Sequence, residues 1–145
     1  MASRFAQKPP AWLYIVGVIL LLWGLAGCWA LYMHVTKGAA MNPDATDWDR
    51  AYFAALPGWF VIDFAVAVGA GVLGSIALLL RSKWAVTLYW LSLIAVVIQF
   101  GYVFLATDMI AVKGVSTTFF PAFIFAMALF QIWVSGTAKK RGWLR

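Results

Sequence analysis

Glutamate is absent from the chain, and cysteine and histidine occur once each, as Cys28 and His34. A lone cysteine excludes an intrachain disulfide. A zinc site wants three or four placed ligands, and Cys28 and His34 stand six residues apart, on different faces of any helix. A His34–Asp63 dyad is conceivable, but no hydroxyl or thiol nucleophile is poised beside it, and catalysis needs several converging roles. The chain therefore reads as non-enzymatic, with no catalytic residue, no metal and no cofactor.

Charge is scarce as well. Only 11% of the 145 residues are charged and 65% are hydrophobic, against about 25% and about 45–50% in soluble domains. Four apolar runs carry the excess, at about 12–33, 57–80, 84–106 and 117–135. Each is near the roughly 20 residues that cross a bilayer. Little is left for a soluble domain. The expected fold is all-α: one polytopic membrane domain over 1–145, with four transmembrane helices in a bundle and an outer loop at 34–56.

The net charge of +6 invites a nucleic-acid reading, and the distribution of the charges argues against it. Arg4, Lys8, Arg81, Lys83, Lys139, Lys140, Arg141 and Arg145 fall on one side of the expected membrane. Only Lys37, Arg50 and Lys113 fall on the other. The positive-inside bias then puts both termini in the cytoplasm. Lys139, Lys140, Arg141 and Arg145 are placed to meet anionic headgroups, with Trp143 as an interfacial anchor.

The second span carries the one carboxylate expected within the membrane, Asp63. At about 100° per residue, Asp63, Ala67, Ala70, Gly71 and Gly74 share a face, with Ser75 beside them. Small residues let helices approach closely in lipid. Gly24 and Gly27, with Gly17 and Cys28, make a similar stripe on the first span. On the third, Ser92, Ala95, Gln99 and Tyr102 form a polar row, and on the fourth Ile124, Ala128, Gln131 and Ser135 share a face. Asp63 and Gln99 lie at equal depth, about 10 Å from the outer edge. They are expected to pair, with Tyr102 and His34 as further members of a polar intramembrane cluster, because an unpartnered polar group in hydrocarbon is costly.

The outer loop has two helix-start signals. Asn42-Pro43-Asp44 offers a cap and a first-turn proline. Thr46 with Asp49 offers a capping box. Trp48, Tyr52, Ala55 and Leu56 then share one face of a short amphipathic helix on the membrane surface. Leu25-Ala26-Gly27-Cys28 matches a lipoprotein cleavage motif, but the apolar run continues through Met33 to span length, so an uncleaved span is expected.

Lys8-Pro9-Pro10-Ala11-Trp12-Leu13-Tyr14, Ala51-Tyr52, Leu56-Pro57-Gly58-Trp59 and Arg141-Gly142-Trp143-Leu144-Arg145 together resemble a family of small bacterial four-span proteins, some labelled sugar transporters. The resemblance covers nearly the whole chain. It implies the four-span fold and carries over no functional residue; the proline–glutamine signature of small sugar-transporting bundles is absent. The leading expectation is an accessory or assembly subunit, with the bilayer and a larger membrane complex or further copies of itself as partners and no nucleic acid. The alternative is a small oligomeric transporter or channel using Asp63 and Gln99. A third reading is a quinone- or lipid-binding module.

Overall fold

The structure, a computed structural model, describes residues 8–144, without the side chains of Met41 and Thr117. Among the described residues every regular element is helical. Helix α1 spans Ala11–Thr36, α2 Asp47–Ala55, α3 Gly58–Leu79, α4 Trp84–Ala106, α5 Met109–Lys113 and α6 Phe119–Lys140. Short 3-10 turns at Gly38–Met41 and Val115–Thr118 complete the connections. Helices α1, α3, α4 and α6 have 22 to 26 residues and mean hydropathy of 1.7 to 2.1, long and apolar enough to cross a membrane. At about 1.5 Å per residue, 22 residues cover about 33 Å, against a hydrocarbon core of about 30 Å.

Packing follows chain order. α1 lies on α3, α3 on α4 and α4 on α6, whereas α1 and α6 barely touch. Glycines set the first contact. A Cβ on Gly17 would stand 2.6 Å from Leu79, one on Gly24 2.9 Å from Val72 and one on Gly27 2.9 Å from Val68. The second contact is closer still in chemistry: the Tyr89 ring of α4 lies on Gly74 of α3, where a Cβ would come within 2.8 Å. Tyr89 is fully buried, and its hydroxyl is 2.7 Å from Ser75 Oγ. Ser75 Oγ in turn donates to the Gly71 carbonyl at 3.0 Å. Ser92 Oγ donates to the Ala67 carbonyl of α3 at 2.7 Å. These bonds give each buried hydroxyl a partner, which lipid would not supply.

The core is lopsided. The larger cluster, including Leu13, Leu20, Leu78, Tyr89, Val134 and Leu144, sits at the end that holds the chain's termini and the 80–83 turn. Toward the opposite, loop end only Ala67, Ala95 and Val96 form a second small cluster.

Two helix ends explain the density of the termini end. At the end of α3, Ser82 N–H donates to the Ala77 carbonyl and Arg81 N–H to the Leu78 carbonyl, the paired bonds of a Schellman stop. The left-handed residue of that stop is Arg81, φ 60°, where glycine is usual. At the end of α6 the same motif recurs with Gly142 at φ 78°: Trp143 N–H meets the Ala138 carbonyl and Gly142 N–H the Lys139 carbonyl. The chain then folds inward. Trp143 is 8% exposed and Leu144 1%; Trp143 stands edge-on to Trp12 at 5.5 Å, and Arg81 Nε donates to the Trp143 carbonyl at 2.9 Å. Trp143 is thus a core residue, not the interfacial anchor its basic neighbours suggested. Lys139, Lys140 and Arg141 remain exposed, while Arg145 and Arg4 lie outside the described residues.

Helix limits differ from expectation in two further places. α1 runs on to Thr36 and α6 to Lys140, since nothing between Ser135 and Gly142 stops a helix. Asn42-Pro43-Asp44 starts no helix: Asp44 N–H donates to Asn42 Oδ1 at 3.0 Å in a local turn. α2 begins instead at the Thr46–Asp49 capping box, both halves of which form. A reciprocal box satisfies two amide donors where an Asn cap satisfies one.

Candidate functional site

Asp63 does not gather the polar cluster expected around it. Among the described residues it makes no hydrogen bond to Gln99, Tyr102 or His34, and its Oδ2 is buried without a partner. Tyr102 instead packs edge-on to Trp59 at 5.3 Å. The His34 ring sits among Phe53, Phe60 and Phe64 at 5.2 to 5.7 Å. The cause is angular. Asp63 lies in line with Ala70 and Gly74 on α3, and it is Phe64, about 100° further round, that lines both cavities with Gln99. Among the described residues the polar bonds between α3 and α4 are those of Ser75 with Tyr89 and of Ser92 with Ala67. Tyr89 was detectable, because stepping back three from Ser92 extends the α4 row to it.

Where α1 and α6 fail to close, the four long helices enclose a cavity of about 350 Å³. α1 contributes Trp23, Gly24 and Gly27, and α3 contributes Phe64, Val68 and Gly71. Ser92, Gln99 and Phe100 of α4 and Phe120, Ile124 and Gln131 of α6 complete the wall. The small residues create the room, since a glycine or alanine leaves unfilled what a larger side chain would occupy. On the α1–α6 side Trp23 meets Phe123 edge-on at 5.4 Å, with exposed Ala26, Ala30 and Phe120 at the rim. Among the described residues no charged side chain lines the cavity.

Two carboxamides do. Gln99 is 7% exposed and Gln131 3%, and neither side chain makes a hydrogen bond among the described residues. Their amide atoms are open to the cavity rather than sealed in protein, since among the described residues Asp63 Oδ2 alone is fully enclosed without a partner. The spacing of Gln131 with Ile124 and Ala128 marked a common face of α6; that this face borders a hollow is a property of packing.

A second cavity of about 250 Å³ lies toward the loop end, lined by His34, Asp49, Tyr52, Phe53 and Phe60 among others, and it shares Phe64, Gln99 and Phe100 with the first. Helix α2 covers it and is tied to the 107–114 connection. Lys113 Nζ donates to Asp49 Oδ2 at 2.9 Å, Trp48 Nε1 donates to Asp108 Oδ1 at 3.1 Å, and the Lys113 ammonium stands 5.6 Å over the Trp48 ring. The Asp49 carboxyl is held below its ordinary value, first by the Thr46 backbone N–H and then by Lys113. Burial, with Tyr102 nearby, pushes the Tyr52 hydroxyl up to about 12.

Among the described residues no three His, Cys, Asp or Glu side chains come together to hold a metal ion. Comparison of the chain with family models, curated proteins and solved structures finds no match.

Proposed function

We propose that this chain is a multi-pass protein of a bacterial inner membrane that holds one lipid-like molecule between α1 and α6. The observation that carries this reading is the cavity of about 350 Å³ at the seam where those two helices barely meet. Its walls are apolar and uncharged, the character of sites that bind lipophilic ligands. The four helices form a small bundle with both termini cytoplasmic, an orientation supported by the eight basic residues on that side against three on the other. The transporter reading draws less support, because Asp63 lines neither cavity.

The same seam favours a second reading, an accessory subunit whose larger partner lays one helix against the exposed Ala26, Ala30 and Phe120. One experiment serves both. The protein is extracted from native membranes in a gentle detergent, sized on a native gel and analysed by native mass spectrometry. A chain that retains one lipid-like molecule supports the first reading. Stoichiometric co-migration with a large complex supports the second. A bare chain with neither removes both.

A further inference from the structure

We infer that the polar part of the occupant is an uncharged quinone ring held between the carboxamides of Gln99 and Gln131; this rests on the lipid-binding reading above. Three features of the cavity select the chemistry. First, no Lys, Arg or His among the described residues lines it. A phosphate or carboxylate would enter without a counter-ion, and an unpaired charge in an apolar site is costly. The head of the ligand is therefore neutral.

Second, the polar groups that await a partner are amides. Each glutamine presents two N–H donors and a carbonyl acceptor, and a buried amide left unbonded costs more than a bonded one returns. The two come from different helices at different depths. Counted from the loop ends of α4 and α6, Gln99 stands about 10 Å deep and Gln131 about 18 Å. That stagger suits one molecule with acceptors on opposite edges, bonded at one by Gln99 and at the other by Gln131. Ring carbonyls placed para to each other meet this requirement.

Third, Trp23, Phe64, Phe100 and Phe120 supply aromatic walls, which favour a flat ring by stacked or edge contacts. The open side between Ala26, Ala30 and Phe120 gives an isoprenoid tail a way out into lipid. An acylglycerol is neutral too, but it offers no ring for these walls.

The test uses the full chain in lipid nanodiscs and a benzoquinone carrying a decyl tail, titrated by quenching of tryptophan fluorescence against empty nanodiscs. Saturable quenching at one quinone per chain, competed poorly by dioleoylglycerol, is the expected result. Gln99→Leu and Gln131→Leu, checked for unchanged thermal unfolding, should each weaken binding about three- to tenfold, the effect of one hydrogen bond. Equal quinone affinity in both folded variants would overturn the assignment. Binding of dioleoylglycerol without quinone would also overturn it and leave the lipid-binding reading standing. A chain that binds neither probe and retains no native lipid would fail both. The competition needs no substitution, so the inference stays testable if a variant misfolds.

Discussion

Lys113 Nζ lies 2.9 Å from Asp49 Oδ2, a bond between residues 64 apart in sequence that ties the connection after α4 to the helix before α3. The pair is only partly exposed, 29% and 17% for the two side chains. It therefore differs from the wholly exposed surface pairs that contribute little. It closes the cover over the second cavity.

Acid should loosen that cover. The Asp49 carboxyl is lowered from 3.8 in the folded chain, so its contribution is complete above the ordinary value and is lost as pH falls through the lowered one. Protection of the amides of residues 47–55, the intrinsic exchange rate relative to the observed rate at each pH, should fall on going from pH 5 to below pH 3.8. In Asp49→Asn the same segment should be weakly protected at both pH values. An acid response that survives in Asp49→Asn would assign it to another group.

Gly74 and Tyr89 allow a comparison of packing with hydrogen bonding. Gly74→Ala places a Cβ 2.8 Å from the Tyr89 ring, and that ring is fully buried and cannot step aside. Overpacking of this kind costs about 1–3 kcal/mol. Tyr89→Phe removes only the bond to Ser75, and such bonds in membrane helices average about 0.6 kcal/mol. Unfolding in mixed micelles should rank Gly74→Ala as the more damaging change. The reverse order would make the hydroxyl pair the stronger tie.

Arg81 holds a left-handed backbone for the sake of its side chain. Arg81→Gly relieves that conformation but loses the bond to the Trp143 carbonyl; Arg81→Ala loses the bond and keeps the strain. Thermal unfolding should find Arg81→Gly more stable than Arg81→Ala by about 1 kcal/mol, the left-handed cost for a residue with a Cβ. Limited proteolysis should find residues 141–144 more open in both than in the parent chain.

Asp63 makes no hydrogen bond to a neighbouring helix among the described residues, so Asp63→Leu should leave stability unchanged or raise it, because an orphaned buried oxygen disappears. Loss of more than about 1 kcal/mol would restore a clasping role.

The four long helices and the capped α2 were legible because span length, charge and capping chemistry are local. The glycine stripe of α1 and the small face of α3 were legible because helical periodicity alone brings their members together. Asp63 was not. One step of about 100° separates it from Phe64, and both fall within the broad buried arc of α3, so spacing could not say which one faced Gln99. Trp143 misled for another reason. A tryptophan beside three basic residues has the composition of a membrane anchor, and only the reversal at Gly142 turns it inward. The hollow beside Gln99 and Gln131 depends on contacts that α1 and α6 do not make, and no single helix pattern records a missing contact.

The inward turn of the tail has one more consequence. Trp143 and Leu144 close the floor of the molecule, with Leu13, Leu20 and Tyr89 stacked above them in the same cluster. Whatever enters beside Trp23 meets a dead end in that direction, so it cannot pass through the molecule toward the end that holds the termini.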